Sequence, residues 1–150
     1  MSADEKTYSE RMLEAAQADS SGFKIPPPIF LDMEAEIVSS DAQSLTIRFP
    51  VKERYQNPTG NMQGGMIVTA IDNVMGPLAY MVAPPSATSS MTTNFIRPVT
   101  PENEYIIVTA RVEEQTKRFL YLSADVYNEA GDVLTKCTAT MVVIGRKKVM

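Results

Sequence analysis

Apolar and polar positions alternate with period two from Ser44 to Phe49, where Leu45, Ile47 and Phe49 interleave with Ser44, Thr46 and Arg48. A shorter alternation covers Ala35 to Val38, and Asp41-Ala42-Gln43 makes a turn between the two, so the pattern predicts a pair of strands. The period then changes. From Met66 to Val82 the chain is largely apolar, with Ile67, Ala70, Ile71, Val74 and Leu78 on overlapping helical faces, which predicts one long buried helix with a kink at Gly76-Pro77. Beyond Pro84-Pro85 four strand patterns follow, at about 88–96, 105–114, 119–127 and 133–144. Turn-forming Pro, Asn and Gly at 98–103 and 128–132 join them, and the last three strands are linked tightly enough for an antiparallel meander. Ahead of all this, Met12, Leu13 and Ala16 predict a short amphipathic helix over about 7–18, closed by Ser20, Ser21 and Gly22. Pro26, Pro27 and Pro28 read as a stiff extended connector. The expected fold is α+β, an antiparallel sheet wrapped against a single central helix, with residues 1–28 as a helical appendage and 29–150 as the domain.

With 150 residues, 44% of them hydrophobic, the chain suits a single core. The sequence contains no histidine, which excludes Ser-His-Asp and Cys-His relays and imidazole metal sites, so any general base must be a carboxylate. One cysteine, Cys137, allows neither an intrachain disulfide nor a multi-thiolate zinc site. It sits in an alternating strand and reads as a small core residue. The first residues lack the basic start and apolar run of a signal peptide, and the apolar stretches are short, so a soluble, cytoplasmic protein with no membrane association is expected. A net charge of −4 argues against nucleic-acid binding, and Arg146, Lys147 and Lys148 read as a solvated basic end.

The chemistry concentrates between Asn57 and Asp72. Gly64 and Gly65 open the long helix with bare backbone amides at its positive end, where an ester or thioester carbonyl oxygen could be stabilised as charge develops on it. Asp72 follows seven residues after Gly65, just under two turns, so acid and helix start share one face and one reacting group is expected to touch both. A carboxylate in an otherwise apolar helix is costly unless something uses it, which marks Asp72 as the base. Asn57 precedes Pro58 and suits a turn as well as it suits contact with a reacting water. Gly60 to Gly65 has the glycine spacing of a phosphate-cradling loop, but Met66-Ile67 stands where Lys and Ser or Thr belong, so nucleotide hydrolysis is not expected. Met62, Met66, Met75, Met81 and Met91 cluster in sequence around the helix, either as a flexible acyl-pocket lining or as gap filling.

Asn57, Gly60, Gln63-Gly64-Gly65 and Asp72, in this order of elements, resemble the signature of the hotdog-fold acyl-CoA thioesterases of the PaaI type, over roughly 35–144. That signature has His-Gly-Gly at the start of the helix; here Gln63 replaces the histidine. A related hydroxybenzoyl-type branch places Gln-Gly-Gly at this point with a glutamate as its acid, so this chain mixes the two patterns, and a glutamine amide can still donate to a carbonyl. The resemblance implies a homodimer, pairing further into a tetramer, with each site shared between subunits. It implies an acyl-CoA substrate, Asp72 as general base or nucleophile, the Gly65 amide and Gln63 on the thioester oxygen, and Asn57 with Ser90 holding the water; Ser89 and Thr92 are the alternatives to Ser90. Gly64 and Met66 are expected against the substrate, and Arg97, Lys117 and Arg118 against the coenzyme A phosphates. No metal or further cofactor is implied. The rival expectations are an acyl-CoA-binding module without turnover, suggested by Gln63, and a hydratase or dehydratase, for which the histidine is missing.

Overall fold

Residues 25–145 are described by the computed structural model, and six strands there form one antiparallel sheet around a long helix. Helix α1 (Pro28–Asp32) is followed by β1 (Glu36–Ser40), β2 (Ser44–Pro50), a 3-10 turn (Glu53–Tyr55), α2 (Gly64–Val82), β3 (Ser86–Phe95), β4 (Tyr105–Gln115), β5 (Phe119–Tyr127) and β6 (Val133–Val143). The order across the sheet is β1-β2-β4-β5-β6-β3. Strands β4, β5 and β6 form the expected meander, and β3 returns beside β6 as one edge of the sheet. The expected helix over 7–18 and the basic end at 146–148 lie outside the described residues.

Alternation decides which face is core. Leu45, Ile47 and Phe49 of β2, Ile106, Val108 and Ala110 of β4, and Leu120, Leu122, Ala124 and Val126 of β5 are buried on the face that α2 covers. Cys137, Ala139 and Met141 continue that face on β6. Helix α2 answers with Ile67, Ala70, Ile71, Val74, Met75 and Leu78. Its 19 residues are long and apolar enough to cross a membrane by length and composition, but this helix lies on the sheet as the core helix, with eight of its residues buried. Gly76-Pro77, where a kink is expected, lies inside one continuous helix. Asn73 is buried beside Asp72, and its side-chain amide donates to the Thr69 carbonyl at 2.8 Å, which satisfies it on the core side.

The structure departs from the sequence reading at α1 and within β3. Helix α2 takes Gly64 and Gly65 as its first two residues, as the reading of the paired glycines expects, two residues ahead of the apolar run that begins at Met66. The proline run is extended only through Pro27, and Pro28 opens α1, because the fixed φ of proline suits the first helical position. Helix α1 then anchors in the core through Phe30 and the following Met33. Strand β3 carries a bulge between Thr88 and Ser90 that shifts its register against β6.

Candidate active site

Two loop-closing hydrogen bonds hold the start of α2 in place. The Met62 amide donates to the Val99 carbonyl at 2.8 Å and the Gln63 amide to the Tyr55 carbonyl at 2.7 Å. Gln63 is the N-cap by backbone alone, since its side chain makes no capping bond, and its carbonyl accepts from Met66 and Ile67. The amides of Gly64 and Gly65 are therefore the helix's first two donors and have no acceptor among the described residues. A Cβ added at Gly64 would come within 3.2 Å of the Phe95 ring, whereas one at Gly65 would meet nothing within 4 Å. Gly64 thus permits the close packing of helix on strand, and Gly65 is the open amide.

Asn57 shapes the loop that leads there. Its side-chain oxygen accepts from the Thr59 amide at 3.0 Å, the Thr59 hydroxyl at 2.7 Å and the Asn61 amide at 3.1 Å. With that oxygen taken, the turn-forming role is the one the geometry displays, and only the side-chain NH2 is left to donate elsewhere. Asn57 and Gly64 line a cleft of about 300 Å³ together with Phe95 and Arg97. The Arg97 guanidinium is tied to the Val133 carbonyl at 2.6 Å.

Asp72 lies elsewhere. Its side chain is exposed on the helix face beside β3, where it accepts a hydrogen bond from the Thr88 hydroxyl at 3.2 Å and lines a larger cleft of about 640 Å³. The burial cost that marks this acid in the sequence does not apply within one chain. The expectation that one reacting group touches both Asp72 and the Gly65 amide also fails within one chain: seven residues at about 1.5 Å of rise separate them by roughly 10 Å along the axis. Sharing a face of a helix is not the same as sharing a ligand.

Ser90 does not approach Asp72 in the described chain. Beyond the bulge it pairs with Thr140, whose neighbours Thr138 and Lys136 alternate outward, so Ser90 faces the side of the sheet away from α2. Thr88 pairs with the buried Met141 and faces the helix instead. Ser89 is the bulged residue and Thr92 pairs with Thr138 on the outer face, so neither alternative reaches the acid. Lys117 and Arg118 are exposed in the β4–β5 turn, and the Arg118 carbonyl accepts from the Val143 amide at 2.8 Å. That places the turn at the end of β6 next to Ile144, which lines the Asp72 cleft. Arg97 sits at the opposite end of β3.

The remaining candidates resolve into packing. Met66 is half-buried on the first turn of α2 and lines neither cleft. Met75 is fully buried in the core, and Met62 lines the cleft at the helix start. Cys137 is buried, accepts from the Thr93 hydroxyl at 3.4 Å, and its thiol is pushed above its ordinary range by burial, with the Asp72 charge adding to the effect. It is a core residue, as the alternation predicts. Among the described residues no group of three or more His, Cys, Asp or Glu side chains is placed to hold a metal ion.

This arrangement, an open helix-start amide and a solvent-facing carboxylate on one central helix, is matched from residue 59 to residue 135, half of the 150-residue chain, by the family model of the thioesterase superfamily. The chain belongs to the thioesterase superfamily. Human acyl-coenzyme A thioesterase 13 is 28% identical to it over 96 residues, 63% of this chain and 68% of the relative. Among solved structures, the PaaI protein of the E. coli phenylacetic acid degradation operon superimposes with a TM-score of 0.77 at 16% identity, over 93% of this chain and 97% of that one. A Streptococcus mutans protein bound to acetyl-CoA superimposes with a TM-score of 0.71 at 20% identity, over 76% of this chain and 91% of that one. The six-stranded sheet around one long helix is the hotdog fold that the Gly-Gly and aspartate spacing suggests, and a thioesterase-superfamily member of this architecture is a thioester hydrolase.

Proposed function

We propose that the protein is an acyl-CoA thioesterase that works as a homodimer, each active site taking Asp72 and Thr88 from one subunit and the Gly64–Gly65 helix start from the other. The observation that carries this reading is the separation of the two halves of the chemistry. Asp72 with Thr88 stands at the beginning of β3, and Gly64 packs on Phe95 at its end. Strand β3 is ten residues long, lies at the edge of the sheet, and is mostly exposed. Such an edge is a template for pairing with another strand. Antiparallel pairing of β3 with its copy would bring the beginning of one strand to the end of the other, and so the base of one subunit to the amides of its partner.

In that geometry the thioester carbonyl oxygen sits on the Gly65 amide at the positive end of α2, with the Gln63 side chain as a second donor. Asp72 takes a proton from a water that attacks the carbonyl carbon. The negative charge moves onto the oxygen and is held by the amides. Collapse expels the coenzyme A sulfur, which regains the proton, and the free acid leaves. Direct attack by the carboxylate gives the same products through an anhydride that water then opens. The coenzyme A phosphates need cations at the mouth, and Arg97, Lys117 and Arg118 are exposed near the two ends of β3. Relatives of the superfamily named for acyl-CoA hydrolysis, and a structural neighbour holding acetyl-CoA, support the substrate class.

The test is hydrolysis of short, long and aromatic acyl-CoA thioesters, followed by thiol release, with wild type beside Asp72→Asn. General-base catalysis contributes about 10²–10⁴-fold, so turnover is expected to fall by that factor while the dimer persists in light scattering. Unchanged turnover removes Asp72 from the chemistry. Thermal protection by acyl-CoA without any hydrolysis would instead make the protein a binding module.

A further inference from the structure

We infer that the cleft beside Asp72 receives the acyl group, that it selects uncharged apolar acyl groups over those ending in a carboxylate, and that Gly76 sets the room they have. This rests on the thioesterase reading above, because it takes Asp72 as the residue at the reacting carbonyl. The cleft has a volume of about 640 Å³, within the range of small-molecule sites. Ile25, Ile29, Val68, Pro77, Met141 and Ile144 give it apolar walls. Among the described residues its lining holds no lysine or arginine, and Asp72 is its one carboxylate. A second carboxylate on the acyl tail would leave water, meet no lysine or arginine among the described lining residues, and face a like charge. An alkyl or aromatic tail loses nothing by entering and gains the burial of its surface.

Gly76 faces the cleft from α2 without a side chain to fill it. It lies four residues beyond Asp72, one turn along the same face, and lines the cleft. Its φ lies outside the left-handed region, and as the helical residue before Pro77 it spares the chain a clash between a Cβ and the proline ring, so the open space is an addition to that backbone role. Apart from its two chain neighbours and the helix's own backbone, a Cβ built there meets nothing within 4 Å, so the space in front of it is open to a ligand. Glycine in a helix interior is destabilising relative to alanine, yet the space in front of this one is open and adjoins the base. Ile25 and Pro27, just before α1, and Ile29 within it also line the cleft, and Phe30 of the same helix is anchored in the core. Ile25 and Pro27 thus bring the segment that the sequence reading sets aside as an appendage into the lining of the acyl pocket.

The experiment compares kcat/KM for acetyl-, hexanoyl-, decanoyl- and adipoyl-CoA in wild type, Gly76→Ala and Gly76→Leu. Hexanoyl and adipoyl differ only by the terminal carboxylate, and wild type is expected to favour hexanoyl by at least about tenfold. Contacts of one methylene in an apolar pocket are worth about 10–200-fold, so Gly76→Leu should lower the decanoyl-to-acetyl ratio by about tenfold or more, with Gly76→Ala between it and wild type. Equal treatment of hexanoyl and adipoyl overturns the selection. An unchanged ratio in Gly76→Leu, or an equal loss on every thioester with a fall in oligomer mass by light scattering, overturns the role of Gly76; the latter would mean that a partner subunit fills the space. The catalytic reading is tested separately. In Asp72→Asn, thermal protection by decanoyl-CoA relative to acetyl-CoA should still shrink when Gly76→Leu is added, whether or not Asp72 is the base.

Discussion

Replacing Thr88 by valine keeps the shape of the side chain and removes the one hydroxyl that holds Asp72. The bond is 3.2 Å long, between a neutral donor and an exposed carboxylate. Hydrogen bonds to charged groups contribute about 1.5–3 kcal/mol, and length and water access at this site bring the figure down to about 1 kcal/mol. If the bond aims the carboxylate at the attacking water, that loss appears in the transition state and lowers kcat about fivefold, with little change in KM. Thr88→Ser keeps the hydroxyl and should recover most of the rate. Ser90→Ala is the contrast, because Ser90 pairs with Thr140 on the outer face and is expected to leave kcat as it is. Steady-state hydrolysis of one good acyl-CoA substrate by the three variants and wild type decides the matter. A large loss in Ser90→Ala beside an unaffected Thr88→Val would refute the register of β3 and return the water-holding role to Ser90.

Two further substitutions test what supports the site. Asn57→Ala removes an acceptor shared by three donors in the loop before α2, most of which water can replace, so a loss of about 1 kcal/mol and a drop in Tm of about 2–4 °C are expected, with a lower kcat as the helix start loosens; an unchanged Tm would mean that the loop is held by its backbone bonds alone. Asp125 is buried on β5 with Arg111 at 3.1 Å and Lys136 at 3.0 Å. Burial alone would raise its pKa, but Lys136 and Arg111 together hold the carboxyl below its usual range. A depressed pKa in the folded state lends stability that is present above the unfolded value of about 3.9 and is lost as pH falls through the lower folded value. The two basic partners are themselves largely exposed, so Asp125→Asn is expected to cost about 1 kcal/mol in urea unfolding between pH 5 and 8, and the difference should shrink below about pH 4. A difference that grows toward acid contradicts the assignment.

The fold was legible because each element declares its period. Leu45, Ile47 and Phe49 alternate without a break, and all three are buried. The apolar faces of α2 leave only one partner large enough to cover them, a sheet. What failed at the boundaries failed for local reasons. Gly64 and Gly65 have poor intrinsic helix propensity, so the apolar run begins only at Met66, yet they open the helix as their pairing suggests, held there by the tertiary hydrogen bonds of Met62 and Gln63. Pro28 continues an extended run by composition, but its fixed φ serves equally as a first helical residue, and Phe30 and Met33 reward the helix with core contacts.

The site was less legible than the fold, because its errors come from geometry that spacing along a chain does not contain. Ser90 fits a pattern of residue spacing, but a single bulged residue between Thr88 and Ser90 reverses every later side chain of β3, and nothing in Ser86 to Thr93, all small or polar apart from Met91, announces where that residue falls. Thr88 had one available signal: it is the β-branched residue nearest the start of the strand that follows α2. The pairing of Asp72 with Gly65 shows the same limit in helical form. Period 3.6 reports the direction in which a side chain points and says nothing of the roughly 10 Å that seven residues climb. The distance is the reason the proposed mechanism brings in a second copy of the chain. An oxyanion donor and a base that one carbonyl must touch within about 3 Å each cannot both come from one straight helix when they stand two turns apart on it. Either the two ends of β3 meet across a pair of subunits, or one of the two groups has no part in the reaction. Mixing Asp72→Asn with a Gly65→Pro variant, which lacks the amide donor, separates these cases: heterodimers that rebuild one intact site in two should recover up to half the activity that neither homodimer shows, and no recovery in a mixture verified to contain heterodimers would leave the two groups in separate roles.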